Sequence, residues 1–307
     1  MVLPVTNAHT HLELTDLSYL CPDQPVRLQA WFRNVQWYLQ NTSEGQLRAS
    51  IERGIRELKA CGTTHVGDVS ASWESITPLL RSGLKGIVYL EVRGLRKEPA
   101  LKKLENAKTA IDKVRQLPDY GPMQVGLSLH APYSCHPELL RLGAAWCQRE
   151  GVPISIHVAE SPDEAELICR ARMLSVHRLI GFIGKRLNRR IPFVSLQRPI
   201  RYLASQGVLD ARPLIIHAVN VTDVDIELIA DSKCAVVHCP RSNDRLACGR
   251  MPLERFFSAG VRVFLGTDSR ASSPSLDVHA EARFAQKLHS NVINPERVEQ
   301  LIYQALP

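Results

Sequence analysis

Asn7-Ala8-His9-Thr10-His11 puts two imidazoles two positions apart near the start of the chain. In an extended strand, residues i and i+2 point to one side. Both rings can then aim at one point, and neutral imidazole is the commonest protein ligand for zinc and related transition metals. Further along, His157 closes the run Val152-Pro153-Ile154-Ser155-Ile156, and Glu160 follows three positions later. His217 closes Pro213-Leu214-Ile215-Ile216, and Asp268 follows Val263-Phe264-Leu265-Gly266-Thr267. Three imidazoles and a carboxylate suit Zn²⁺ or Fe²⁺. With one position left open, such a site turns bound water into a nucleophile near neutral pH. Each residue alone has an ordinary explanation. A strand-end His is often just hydrogen-bonded, an Asp after Gly-Thr often caps a helix or turn, and Glu160 suits a first helical turn. Their joint occurrence after apolar runs points to a metal-assisted hydrolysis.

The elements that must position these groups are legible as an alternation. Short β-branched runs at Val2–Ala8, Thr63–Val69, Gly86–Val92, Met123–Leu129, Val152–Val158, Pro213–His217, Ala235–His238 and Val261–Gly266 read as eight strands. Between them lie helical patterns at Glu44–Ala60, Ala100–Gln116, Pro137–Glu150, Asp223–Ala230 and Leu253–Ala259, and Gly62, Gly151 and Gly260 read as helix stops. The alternation predicts βα units and a parallel sheet, and eight of them predict a (β/α)8 TIM-type barrel. Active sites in that fold lie at the C-terminal ends of the strands, where the candidate residues fall. Two long connections, Thr15–Ser43 and Ser161–Ala211, are expected to cover the site. The second holds an apolar stretch, Ser175–Gly184 with His177, and a helix at Arg198–Gly207.

The 307 residues are 45% hydrophobic and 22% charged, which fits a soluble globular protein, read here as one domain over 1–307. No run of about 18 apolar residues indicates a membrane span, and no basic-then-apolar leader is visible. None of the eight cysteines (21, 61, 135, 147, 169, 234, 239 and 248) sits in a Cys-x-x-Cys pair. Reduced thiols and a cytoplasmic location are expected. The net charge of +7 is densest at Lys185-Arg186-Leu187-Asn188-Arg189-Arg190, which lacks interleaved aromatics and reads as a solvated loop. The expected partner is a small-molecule substrate, with neither nucleic acid nor membrane, and a homodimer is the one assembly considered. The cytidine-type zinc deaminases are excluded, since no His-x-Glu with Pro-Cys-x-x-Cys is present.

Six segments carry a family resemblance: Asn-Ala-His-Thr-His-Leu-Glu-Leu (7–14), His-Ala-Pro-Tyr-Ser-Cys (130–135), His-Val-Ala-Glu (157–160), His-Ala-Val-Asn-Val-Thr (217–222), His-Cys-Pro-Arg-Ser-Asn (238–243) and Gly-Thr-Asp-Ser-Arg-Ala-Ser-Ser (266–273). Their types and order resemble the amidohydrolase superfamily, in its deaminase and chlorohydrolase branch. Within that branch, His-Thr-His-Leu-Glu-Leu and Arg198-Pro199-Ile200-Arg201-Tyr202-Leu203 are similar to aminodeoxyfutalosine deaminases. The resemblance implies that His9, His11, His157 and Asp268 hold one divalent metal, Zn²⁺ or Fe²⁺, with Asp268 also accepting the water proton. It implies that His217 orients the bound water. Glu160 would protonate a ring nitrogen as metal-bound hydroxide attacks the amino-bearing carbon, then help ammonia leave. His130 and Tyr133 would contact substrate, and His238 would line the pocket.

Other positions stay open between two readings. Glu13 suits either ribose hydroxyls or a backbone amide. Arg241 and Arg270 suit either an anionic substrate group or structural pairs. His65, His136, His177, His279 and His289 read as structural. Members of this branch carry a small β-sandwich built from both termini, and it is largely absent here; a trimmed version and a bare barrel are the alternatives. The expected activity is deamination of an aminated purine nucleoside or related heterocycle. The rivals are amide or chloro-heterocycle hydrolysis by the same water, and a non-catalytic metal-binding barrel.

Overall fold

The computed structural model describes residues 3–117, 121–164 and 198–306. Val2, at which the first predicted strand begins, lies outside them. So do Cys169, the Ser175–Gly184 stretch with His177, and the basic cluster Lys185–Arg190. In chain order the elements are β1 (Thr6–Thr10), a 3-10 segment Leu12–Leu20, α1 (Leu28–Asn41), α2 (Glu44–Ala60), β2 (His65–Ser70), α3 (Ile76–Ser82), β3 (Lys85–Val92), α4 (Lys97–Arg115), β4 (Met123–Leu129), α5 (Pro137–Glu150) and β5 (Ile154–Val158). They continue with α6 (Pro199–Ser205), β6 (Leu214–His217), α7 (Asp223–Asp231), β7 (Ala235–His238), α8 (Pro240–Arg245), α9 (Leu253–Ser258), β8 (Arg262–Leu265), α10 (Val278–Leu288) and α11 (Pro295–Glu299).

The eight strands form one parallel sheet in sequential order. The first meets the last through a bridge between Thr10 and Asp268. At that seam the Asp268 amide donates to the His9 carbonyl at 3.0 Å. The Asn7 carboxamide donates to the Thr267 hydroxyl at 2.8 Å and accepts from the Thr267 amide at 3.0 Å. The sheet is therefore a (β/α)8 barrel, as its alternation predicted.

Both sheet faces are buried, which is why the strands read as unbroken apolar runs. Ala8, Val69, Ile87, Tyr89, Leu214, Ile216, Val237 and Phe264 fill the barrel interior. Val88, Leu90, Leu127, Leu129, Ile156 and Val236 face the helical layer. The helices start and stop on local signals. Ser43 and Gln46 form a capping box on α2, and α5 opens on Pro137 and stops at Gly151, whose φ of 60° is left-handed. Gly54 lets α2 press on the 3-10 segment, since a Cβ there would lie 2.5 Å from the Thr15 hydroxyl.

The first strand departs from expectation. It runs Thr6–Thr10 rather than Val2–Ala8, and Pro4, which has no N–H to give a ladder, precedes it. Asn7 pairs with Val66 and Thr10 with Asp68, so three steps on β1 oppose two on β2. That bulge re-aims the strand next to His9. Among the described residues the seven cysteines are free, and no helix is long and apolar enough to cross a membrane.

Candidate metal centre and active site

His9, His157 and Asp268 meet at the C-terminal mouth of the barrel, together with His11, His217 and Glu160. His9 sits inside the β1 bulge, and His11 lies one residue past the strand, where it opens the 3-10 segment. The pair thus reaches one point through a bulge and a turn rather than through plain strand alternation. The donor atoms of His9, His11 and His157 lie within 4.8 Å of one another, as do those of His9, His217 and Asp268.

The ring orientations are set from behind. His11 Nδ1 lies 2.9 Å from the Val69 carbonyl, and His157 Nδ1 lies 3.1 Å from the His130 carbonyl. His217 Nδ1 lies 3.0 Å from Asn243 Oδ1. Each partner is an acceptor, so each Nδ1 carries the proton and each Nε2 presents a lone pair to the centre. His11 Nε2 and His157 Nε2 are 3.3 Å apart. Two lone pairs at that separation repel unless a cation lies against them. Both nitrogens of His9 are buried without a hydrogen-bond partner, and Asp268 Oδ1 stands 3.5 Å from His9 Nε2 and 3.7 Å from His11 Nε2. Orphaned buried nitrogens and a carboxylate at this spacing fit a divalent ion of the zinc or iron type.

The backbone is bent to make this possible. His217, Asp268 and Ala159 have φ of 75°, 61° and 53°, left-handed values that cost a non-glycine residue about 1–3 kcal/mol each. Bonds to neighbouring strand ends hold them: the Ala218 amide donates to the Val158 carbonyl at 3.1 Å, and the Val219 amide to Ala159 at 2.9 Å. Asp268 also accepts from the Ser242 and Ser272 hydroxyls at 2.6 and 3.2 Å and from the Ser269 amide at 2.7 Å.

Burial separates the protonation states. It pushes the His9, His130 and His217 imidazoles down to about 4, and His157 well below its ordinary value, so these rings are neutral and able to ligate. Burial pushes the Glu160 carboxyl up to about 8, with the Asp268 charge adding to it. For Asp268, burial acts upward too, but His9, His11 and His217 overcome it and hold the carboxyl well below its usual range. One carboxyl is thus kept protonated and its neighbour ionised, and Glu160 Oε1 lies 3.5 Å from His217 Nε2.

A cavity opens above this group. His11, His157, His217, Asp268, Glu160, Glu13, His130 and Tyr133 all border it, while His9 lies buried beneath. Glu13 is held as a structural carboxylate: it accepts from the Ala71 amide at 2.8 Å, the Ser72 amide at 3.1 Å and the Ser72 hydroxyl at 2.6 Å.

One expected contact is corrected, and the open readings of the two arginines are decided. His238 does not border the cavity. It follows the outward parity of Val236 into the helical layer, where its Nε2 lies 3.4 Å from His289 Nε2. Arg241 is also elsewhere. Its Nε donates to Glu281 at 2.7 Å, and its Nη2 donates to the Ser275 and Asp277 carbonyls. Arg270 is likewise a structural pair, 3.2 Å from Glu57.

Several cavity residues escaped the sequence reading. Glu91 and Arg93 stand at the end of β3, where the strand-end rule applied to a carboxylate inside an apolar run would have found Glu91. Trp31, Phe32, Val35 and Leu39 give the cavity an apolar wall. Their helical spacing was there to read in the Thr15–Ser43 connection.

The model of the amidohydrolase family matches residues 2–306. The chain is 37% identical over 299 residues to the aminodeoxyfutalosine deaminase of Deinococcus radiodurans, covering 93% of this chain and 68% of that protein. It is 31% identical over 294 residues to the 5-methylthioadenosine/S-adenosylhomocysteine deaminase of Carboxydothermus hydrogenoformans, covering 94% and 62%. Among solved structures, a zinc-bound adenosine deaminase of Xanthomonas campestris superposes with a TM-score of 0.76 at 23% identity, over 94% of this chain and 61% of that one, a likeness of fold.

Proposed function

We infer what the protein does from one premise: the chain belongs to the amidohydrolase family. Its proposed activity is metal-dependent deamination, the hydrolysis of a non-peptide C–N bond that releases ammonia from an aminated purine nucleoside or related heterocycle. An aminodeoxyfutalosine-like compound is the leading substrate. The observation that carries this is geometric: the donor atoms of His9, His11 and His157, and those of His9, His217 and Asp268, lie within 4.8 Å of one another, with Glu160 Oε1 3.5 Å from His217 Nε2. The names of the two curated relatives support the reaction class.

His9, His11, His157 and Asp268 are the proposed holders of one divalent ion, Zn²⁺ or Fe²⁺. That ion, when bound, acts as a Lewis acid that makes water a nucleophile at neutral pH. The chain's own groups do the rest. His217, fixed by Asn243, presents Nε2 to the water and orients it. Asp268 accepts a proton from it. Glu160 gives its proton to a ring nitrogen of the substrate, takes the second proton from the attacking oxygen and passes it to the amine as the C–N bond breaks; the proton held by Asp268 then resets Glu160. His130 and Tyr133 flank the bound heterocycle, and the apolar wall of α1 excludes water from its other end. We read residues 1–307 as one barrel domain, and the free thiols support a reducing, cytoplasmic setting.

The test loads the protein with Zn²⁺ or Fe²⁺ and measures ammonia release from adenosine, 5′-methylthioadenosine and aminodeoxyfutalosine. Turnover of at least one, lost in Glu160→Gln with the metal retained, is expected. A folded, metal-loaded protein that releases no ammonia sinks the proposal.

A further inference from the structure

Glu160 follows the left-handed Ala159, so the direction of its carboxyl depends on how that turn is held. From the N-terminal side, Glu164 Oε2 accepts the Glu160 amide at 3.0 Å. On the carbonyl side, the Val219 amide holds Ala159 at 2.9 Å and Asn220 does the rest. Asn220, on the loop after β6, donates its backbone amide to the Ala159 carbonyl at 2.8 Å. Its side-chain Nδ2 donates to the Glu160 carbonyl at 2.8 Å and to the Cys248 carbonyl at 3.0 Å. The carboxamide therefore uses both N–H groups to join two loops 88 positions apart.

The second loop leads back to the site. The Cys248 amide donates to the Asn243 carbonyl at 2.8 Å, and Asn243 Oδ1 fixes His217. A continuous path thus runs from Glu160 through Asn220, Cys248 and Asn243 to His217, the ring 3.5 Å from the Glu160 carboxyl. Asn220 is itself anchored. Its carbonyl accepts from Arg198 at 2.8 Å, and Arg198 pairs at 3.0 Å with Asp225, which belongs to the capping box of α7.

We propose that Asn220 is a positioning residue that fixes the Glu160 carboxyl relative to His217, by bridging the carbonyls of Glu160 and Cys248. The proposal rests on Glu160 as the proton shuttle. Asn220 does not border the cavity and does not belong to the group that would hold metal, so its effect must pass through the relative placement of Glu160 and His217. Misplacement of a proton donor lowers the chemical step and leaves binding alone.

The test is a double-mutant cycle with 5′-methylthioadenosine as the probe substrate, run beside amide hydrogen exchange. Asn220→Ala removes both donors. Asn220→Ser, a milder change, goes through the same cycle, so a folding failure of the alanine variant leaves the comparison standing. Expected is a fall in kcat on the order of 10- to 100-fold with KM and metal content unchanged, and no further loss when the substitution is added to Glu160→Gln. Exchange should quicken across residues 157–164 and around Cys248, while β3 and β4 stay protected. Unchanged kcat in both Asn220 variants, with Glu160→Gln inactive, overturns this inference alone. An equal fractional loss in both backgrounds, or exchange quickening through the whole barrel, overturns it by showing a general structural role. Wild-type turnover in Glu160→Gln overturns the shuttle and this inference together. A wild type inactive on the probe removes the functional reading, and the exchange arm then decides the clamp.

Discussion

The two sides of the barrel are built differently. β2, β3 and β4 are six to eight residues long, and β3 pairs with both neighbours in unbroken register. β5 to β8 are four or five residues long, and the chain just past three of them enters left-handed conformations at Ala159, His217–Ala218 and Asp268. The long-strand side contributes apolar packing, the Ala71 and Ser72 donors that hold Glu13, and one cavity histidine, His130. The short-strand side contributes His157, Glu160, His217 and Asp268. Strands stop early where side chains must turn inward to a common point, and the lost pairing is replaced by side-chain bonds from Asn220, Asn243 and the serines around Asp268. The left-handed residues at the candidate site all lie on the short-strand side.

That contrast can be broken or sharpened by substitution. The largest effect is expected for His9→Ala. It should strip the metal and abolish turnover together, read by elemental analysis and ammonia release; metal retained with full turnover would remove His9 from the site. Next is the pH profile. The Glu160 carboxyl is raised, so its proton-donating form dominates below about 8 and is lost above it. kcat/KM should fall as pH rises through that value, and the limb should be missing from the residual activity of Glu160→Gln. Asn243→Ala frees the His217 ring and should cost about 10- to 100-fold in metal affinity or turnover with the fold intact. The smallest effect on activity belongs to the regular side. Leu127, fully buried in β4, should lose about 2–5 kcal/mol of stability on replacement by Ala, seen in thermal or urea unfolding. At a temperature where that variant is folded, metal content and kcat should match the wild type. A matching loss of turnover would erase the distinction between the two sides.

Much of this was legible because the physics is local. β4, β7, α2 and α5 occupy the residues their patterns marked, since β-branched runs, the Ser43 cap and Gly151 act within a few positions. His157, His217 and Asp268 were legible as strand-end positions because they follow apolar runs. The β1 bulge was not, because it is a relation between two strands and leaves no mark on either. His238 misled for a related reason. Ala235-Val236-Val237-His238 is apolar on both faces, so its alternation cannot be read and the direction of the ring is hidden. Arg241 sits beside site residues in sequence, but its guanidinium answers to Glu281 on α10. Asn220 and Asn243 fall inside two of the resembling segments but drew no role, since an amide that supports a neighbour looks like any loop asparagine.

The seam between β1 and β8 has a consequence for biosynthesis. Asn7 and Thr267, which lock it, are 260 positions apart, and they flank His9 and Asp268. A chain emerging from the ribosome presents His9 and His11 well before Asp268. Until the eighth strand docks, the nascent protein holds only fragments of a binding site. Loop closure across such a span adds little extra entropy cost, because that cost grows only logarithmically with length. The order of events is nevertheless imposed. Under the proposed assignment, His9, His11, His157 and Asp268 would come together to take a metal only once this joint has closed.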